Sequence, residues 1–309
     1  MAKKPELVTP AADLEQAARF LRAGADAVVM GDERFGMRLP GRLTITDMAE
    51  AARLVHGLGG KLYAAANALL VNEAADDLPA YLRQAADSGA DAIAFGDPAV
   101  IQAAREAGVT LPLHWYGETL STNYETANYW GNRGATRAFA ARELSLEELT
   151  EFKRGSRVEV QVQVHGMTNI YHSKRPLVGL YREHQGVRDR EEAFGLDRNL
   201  SLIEAERPDE RFPVYEDASG THIMSSDDLC YLEALGELME AGIDSFYAES
   251  LFKSADYQEK VLRVYRRAID AWALDPTDWL REEWLDELER QQPDGRPLSF
   301  GFLYKQQVY

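Results

Sequence analysis

GADAVVMGD, residues 24–32, returns as GADAIAFGD at residues 89–97 and, more loosely, as GIDSFYAES at residues 242–250. Each copy follows a segment with helical apolar spacing, such as LEQAARFLRA or YLRQAADS, so its glycine is placed to end a helix in the left-handed conformation. A short apolar run follows, closed by an acid or its neighbour. Related runs are ELVTPA, GGKLYAAANA ending near Asn67, LPLHWYGET ending near Glu118, ATRAFAARE ending at Arg142 and Glu143, and VEVQVQVHG ending at His165. Strands alternating with helices predict a parallel sheet. Eight of them predict a closed (β/α)8 TIM-like barrel, with an open doubly wound sheet as the alternative.

In a closed barrel the polar residues at the strand ends converge on one mouth. They are Asp32, Asn67, Asp97, Glu118, Arg142, Glu143, His165 and Glu249. Asp32 and Asp97 have a second reading as caps of the helices that follow them. In VEVQVQVH the valines alternate with Glu159, Gln161, Gln163 and His165, the period of a strand with one apolar and one polar face. That polar face must pair inside the barrel or meet water at its mouth.

From 174 to 212 the periodicity lapses into a charged segment, read as an insertion after strand seven. Residues 1–272, including that insertion, are read as the barrel. Residues 273–309 are read as a C-terminal helical extension that packs on the barrel or on a partner. Residues 174–190 hold five Lys/Arg against two Asp/Glu beside Tyr171, Tyr181 and His184. This is the one basic, aromatic stretch suited to a polynucleotide; a solvated loop is the alternative.

The chain has 309 residues, 45% of them hydrophobic, enough for a large core. With 34 Lys+Arg against 51 Asp+Glu its formal net charge is −17, so the surface as a whole repels nucleic acid and anionic membrane. A single cysteine, Cys230, excludes an internal disulfide and any multi-cysteine metal site made by this chain alone. No apolar run reaches the roughly 18 residues of a membrane span, and MAKKPELVTP lacks a signal-peptide core, so a soluble, cytoplasmic protein is expected. GxSxG, HExxH, GxxxxGK[ST] and complete GxGxxG motifs are absent from the sequence. Ser250 and Lys253 form an SxxK string of the kind that arises by chance. Cys230 lies near the start of an expected helix, where it is either activated by the dipole or packed and inert.

PELVTPAADLEQAARFLRAGADAVVMG, HWYGETLSTNYETANYW, FAARELSLEELTEF, VQVHGMTN and SSDDLCYLEALGELMEAGIDSFYAES together resemble the collagenase-like peptidase family U32, and RPLSFGF with KQQVY resembles its short Gram-positive branch. The resemblance covers nearly the whole chain. It implies one of two activities: the peptidase of the family's name, or hydroxylation of RNA or of ubiquinone precursors, with one group making 5-hydroxyuridine at the tRNA wobble position using prephenate as the implied oxygen source. It also implies heterodimers of two family chains. The family's hallmark loop continues from His-Gly to two cysteines that help bind a four-iron four-sulfur cluster. Here His165 and Gly166 match, whereas Asn169 and Pro176 stand at the cysteine positions and only Cys230 remains of four ligands. No cofactor is therefore expected on this chain, and an iron–sulfur cluster is expected in a partner. The family's Glu-Gly-Arg is replaced by Glu249, Ser250 and Leu251.

The leading expectation is a cluster-lacking subunit of a tRNA wobble-uridine hydroxylase, paired with a cluster-bearing paralogue. In it His165 is a proton donor or orienting group, with Glu249 and Glu118 as acids. Arg38 or Arg142 would clamp a small dicarboxylate such as prephenate, and Asn67, Asn123, Lys174 and Arg175 complete the substrate-binding set. No metal ligand is assigned. His165 as a structural histidine stays an equal alternative. A collagenase-like peptidase and a noncatalytic scaffold for the paralogue are the competing functions.

Overall fold

The computed structural model describes residues 3–117, 120–186 and 194–305. Seven parallel strands alternate with six helices: β1 (Glu6–Pro10), α1 (Leu14–Arg22), β2 (Ala27–Met30), α2 (Met48–Gly57), β3 (Lys61–Ala66), α3 (Asn72–Asp87), β4 (Ala92–Phe95), α4 (Ala99–Ala107), β5 (Leu113–Trp115), α5 (Tyr124–Gly131), β6 (Ala135–Phe139), α6 (Leu146–Gly155) and β7 (Glu159–Gly166). The chain then leaves the barrel through β8 (Asn169–Ser173), α7 (Leu177–His184), β9 (Ser201–Leu202), β10 (Phe212–Asp217), β11 (Gly220–Met224) and β12 (Asp228–Cys230). It returns with α8 (Leu235–Glu240), β13 (Ser245–Ala248) and α9 (Ala255–Leu274), and ends in α10 (Glu282–Glu289) and β14 (Leu298–Ser299). Because β13 pairs in parallel with both β1 and β7, the eight strands close into a (β/α)8 barrel and the open sheet is ruled out.

The repeated unit has a physical purpose at each position. Gly24, Gly89 and Gly242 take positive φ angles of 113°, 92° and 78° just past the ends of α1, α3 and α8. The aspartate two residues on then ties each new strand to its neighbour. Asp26 accepts from the Leu7 amide at 2.7 Å, Asp91 from Leu62 and Asp244 from Val160, both at 2.8 Å. Strand residues alternate between two cores. Val28, Leu62, Ile93 and Phe246 face the helices, while Val8, Val29, Tyr63, Ala94, Tyr116, Phe139 and Tyr247 fill the barrel.

The N-terminal end of the barrel is plugged by charge. Arg137, 4% exposed, donates to Glu6 at 2.6 Å and to Glu159 at 2.7 Å, and Glu6 also accepts from Lys61 and Tyr63. Burial pushes the Glu6 carboxyl up, but Arg137, Lys61 and Tyr63 outweigh it and hold the group at about 2.

The excursion after β7 forms a four-stranded antiparallel sheet in the order β8-β11-β10-β9. The segment 174–212 lies inside this longer excursion, which begins on the strand before it and ends on the strands after it. Tyr215 and Met224 from this sheet pack on Met167 and Leu251 of the barrel. In the extension, β14 pairs with β12, Trp284 and Leu288 join the main core, and the Leu146 amide donates to the Leu303 carbonyl.

Candidate functional site at the barrel mouth

Glu249 follows β13 on the side of the strand that faces into the barrel, above Tyr247. It is 5% exposed, and its Oε1 accepts from the Ser250 and Leu251 amides at 2.9 Å. Burial holds the carboxyl above its ordinary range, against the pull of those amides and of the charges of Arg142 and Arg38. Gly166 makes this placement possible. Its φ is +94°, and a Cβ there would lie 2.6 Å from the Glu249 carbonyl oxygen and 2.9 Å from its Cβ.

Arg142 donates through Nε to Gln163 Oε1 at 2.5 Å and stacks its guanidinium 5.1 Å from the centre of the Phe139 ring. Gln163 Nε2 in turn reaches the Met167 carbonyl at 2.9 Å, so the polar face of β7 serves to fix the turn that leads into the excursion. Asn67 holds the loop after β2: its Oδ1 accepts from the Met37 amide at 3.0 Å and its Nδ2 donates to the Met37 carbonyl at 3.2 Å. The next residue, Arg38, is 7% exposed and has a φ of +56°, a strained backbone for a residue with a side chain.

Over this mouth lies a face of the small sheet that the sequence did not reveal. His172, His222 and Tyr215, from three neighbouring strands, stack with ring centres 4.7 Å apart at each step and interplanar angles of 14° and 19°. His222 is fully buried and its Nε2 lies 3.0 Å from Asp217 Oδ1; His172 Nε2 lies 3.0 Å from the Ser219 carbonyl. Arg38 is near enough to His172, Asp217 and Glu249 for its charge to act on all three. A groove of about 1480 Å³ runs between the β2 loop and the excursion, walled by Arg38, Arg42, Arg182, Tyr215 and Asp217 among others.

The histidine singled out by the sequence is elsewhere. The register of β13 on β7 shifts between Tyr247 and Ala248, so that Gln163 and His165, not Gln163 and Val164, are successive partners. This bulge turns the His165 ring out of the barrel. Its Nε2 sits 2.9 Å from the Tyr257 hydroxyl, and Tyr265 flanks it at 5.6 Å, both on α9. Fully buried, with burial pushing it down to about 3, His165 is neutral; it meets Glu249 through the backbone, its carbonyl accepting from the Glu249 amide at 3.0 Å, while its ring turns to Tyr257. Tyr257 continues to Gln292, which with Lys253 and Arg296 surrounds the buried Asp228 carboxylate. The SxxK string is not a dyad: Ser250 Oγ donates to the Pro10 carbonyl and Lys253 pairs with Asp228.

Other expected site residues are dispersed. Asn123 caps α5 through the Thr126 amide at 3.0 Å. Lys174 is exposed and donates to the Leu69 carbonyl at 2.6 Å, and Arg175 is exposed beside it. Asp32 and Asp97 accept from the Arg34 and Ala99 amides at 2.9 Å, the turn and cap roles. Glu118 lies outside the described residues. Gln163, Asp217 and the histidines of the small sheet were missed. Of these only Gln163 left a signal, its place in the alternation of β7.

The residues present do not fit an iron–sulfur cluster. Asn169 opens β8 and Pro176 precedes α7, and neither supplies a thiolate. The Cys230 thiol is pushed up to about 11 by burial and accepts a hydrogen bond from Tyr265 at 3.7 Å. Among the described residues no three His, Cys, Asp or Glu side chains form a group able to hold a metal ion. No described helix is long and apolar enough to cross a membrane.

Fold and site together define a (β/α)8 barrel protein whose mouth holds a buried carboxyl between two arginines, under an inserted sheet. More narrowly, the chain belongs to peptidase family U32, whose model matches residues 12–308. It is 41% identical over 309 residues to tRNA hydroxylation protein P2 of Bacillus subtilis (strain 168), covering 99% of this chain and 100% of that one. It is 30% identical over 297 residues to tRNA hydroxylation protein P1 of the same organism, covering 94% of this chain and 69% of the relative. A solved U32 peptidase structure shares the fold, with a TM-score of 0.50 and 14% identity over 81% of this chain and 94% of that one.

Proposed function

We propose that this chain is a subunit of a tRNA-hydroxylating system acting on wobble uridine, that it binds no cluster itself, and that it works with a paralogous family chain that does. The observation that carries this reading is likeness over the full length to a protein named for tRNA hydroxylation. The occurrence of two such relatives in one organism supports a paired arrangement. In this reading Arg38 and Arg142 clamp a small dicarboxylate such as prephenate, and Glu249, whose hold on a proton burial strengthens, exchanges a hydrogen bond or a proton with it. Asn67 holds the Arg38 loop in place. Exposed Tyr171 and Tyr181, with Lys174 and Arg175, offer stacking and phosphate contacts to RNA, and the partner supplies the larger cationic surface that a chain of net charge −17 lacks. A peptidase reading gains nothing from the SxxK string, since Ser250 donates to the Pro10 carbonyl and Lys253 pairs with Asp228.

The test is mass spectrometry of tRNA nucleosides from a strain without this gene, restored with wild type, Glu249→Gln or Arg142→Met. Loss of 5-hydroxyuridine and its derivatives, rescued by wild type and at least tenfold less by the variants, is expected for a mouth that takes part in the chemistry. Rescue by every copy would make the chain a scaffold. Unchanged uridines in the deletion strain would refute the proposal.

A further inference from the structure

Two glutamines stand on the barrel face of β7, Gln161 fully buried and Gln163 2% exposed, and each is engaged at both ends of its amide. Gln161 serves the floor: its Nε2 donates to the Tyr116 hydroxyl at 2.9 Å, and its Oε1 accepts from Ser245 at 3.3 Å and Arg137 at 3.4 Å. Gln163, one step nearer the mouth, has different partners. Its nitrogen faces three main-chain carbonyls in the turn that leaves β7, Met167 at 2.9 Å and His165 and Gly166 at 3.3 Å, and its oxygen accepts from Arg142 Nε at 2.5 Å. The two ends of the amide cannot be exchanged, because carbonyls only accept and an arginine Nε–H only donates. An ionised glutamate here could accept from Arg142 but not donate to the carbonyls, and a methionine would make neither bond.

The grip on Arg142 has a chemical consequence. Its guanidinium is held at Nε by Gln163 and lies over the Phe139 ring, 5.1 Å from the ring centre, so two contacts in different directions set its plane. A carboxylate pairs with an arginine either side-on, through Nε and one terminal nitrogen, or end-on, through both terminal nitrogens. With Nε engaged by Gln163, a carboxylate that pairs with Arg142 does so end-on. The turn that holds Gln163 is itself anchored, since the Thr168 amide donates to Ser225 Oγ at 3.0 Å and Met167 packs with Tyr215, Met224 and Leu251.

Resting on the proposed reading of Arg142 as a clamp for a small dicarboxylate, we infer that Gln163 is a positioning residue for the reaction at the mouth: it turns the Arg142 guanidinium so that the two terminal nitrogens meet the carboxylate. Gln163 acts through Arg142 and touches no ligand atom itself. Removing Gln163 alone therefore leaves the charge at the mouth but loses its aim. Removing both residues costs no more than removing Arg142, because the second loss has nothing left to act through.

The test is a double-mutant cycle read by mass spectrometry of tRNA nucleosides, in the deletion strain carrying wild type, Gln163→Met, Arg142→Met or both changes together, at matched protein levels. Gln163→Met is expected to lower 5-hydroxyuridine and its derivatives about tenfold, the usual scale for a lost orienting contact. The double variant should fall no further than Arg142→Met alone. A double loss equal to the product of the two single losses would mean that Gln163 contributes independently of Arg142, the result of a merely structural role. Restoration by Gln163→Met to the wild-type level would mean that it contributes nothing. Either outcome overturns the inference. Thermal melting of the purified variants shows whether each one folds, and if Gln163→Met does not, Arg142→Lys decides. Lysine keeps the charge but has no Nε for Gln163 to hold while other nitrogens meet the ligand, so it should restore as poorly as Arg142→Met; full restoration would overturn the inference. The same strains show at which level a failure lies. If only Gln163→Met restores the nucleoside, the positioning role alone fails; if Arg142→Met restores it as well, the clamp fails. If deletion leaves 5-hydroxyuridine unchanged, the tRNA reading fails and the inference falls with it.

Discussion

Replacing Arg137 with methionine is expected to cost about 3 kcal/mol of stability at neutral pH, and the size follows from the plug at the base of the barrel. Arg137 is 4% exposed and its partner Glu6 is held from 4.5 down to about 2. At about 1.4 kcal/mol per pKa unit, that depression amounts to roughly 3 kcal/mol, with Arg137 the largest favourable contributor. Breaking a buried pair by removing one member usually costs about 3–5 kcal/mol, so two routes agree. Methionine fills similar volume but donates nothing to Glu6, Glu159 or Gln161, which Arg137 now serves. The sign with pH is fixed. Glu6 titrates lower in the folded chain than in the unfolded one, so its contribution is complete above the unfolded value and fades as pH falls from 4.5 toward about 2. Urea unfolding of both proteins, followed by tryptophan fluorescence at neutral pH and again in acid, should give a gap that narrows in acid. A gap below about 1 kcal/mol at neutral pH, or one that stays constant into acid, would refute the account of the plug.

Gly166→Ala should drive Cβ into the Glu249 backbone and cost about 1–3 kcal/mol in thermal or urea unfolding, with a fall in cellular 5-hydroxyuridine beyond that of equally destabilised variants elsewhere. Cys230, buried with its thiol pushed up to about 11, should resist iodoacetamide in the native chain and react fully once unfolded; mass spectrometry of the alkylated protein reads both states. Arg296→Met removes one of the two cations on Asp228, which is fully buried, and should cost about 3 kcal/mol while exposing the chain after Leu274 to limited proteolysis.

The barrel was legible because its signal is local and repeated. A glycine that must end a helix, a buried run of four or five residues and a polar strand end recur along the chain, and each reports its own structure without help from the others. The closing acids were half legible. Glu249 was found at the mouth, whereas the aspartates of the GAD units that staple each strand to its neighbour, Asp26 and Asp91, were passed over for Asp32 and Asp97, which serve turns. The small sheet was hidden for a different reason: His172 and His222 stand fifty positions apart, and only antiparallel register brings them together.

His165 shows where alternation stops being a guide. Counting by twos from Glu159 through Gln161 and Gln163 puts His165 inside the barrel, and the count is right until the partner strand slips by one residue. The bulge leaves its mark on the following residue, since Gly166 takes a positive φ that a side chain would resist, but a glycine after a histidine is equally compatible with a tight turn at the strand end. A single extra residue therefore moves the most suggestive side chain of the sequence from the mouth to the α9 interface, and leaves Arg38, from the loop after β2, and Arg142 as the charges that act on Glu249. The HG pair matters in this chain because the glycine lets the Glu249 strand end approach, while the histidine anchors β7 to α9 through Tyr257. Exchanging His165 for a shape-filling apolar residue should accordingly cost stability in urea unfolding while the folded protein still restores 5-hydroxyuridine to the deletion strain, the opposite of the result expected for Glu249→Gln.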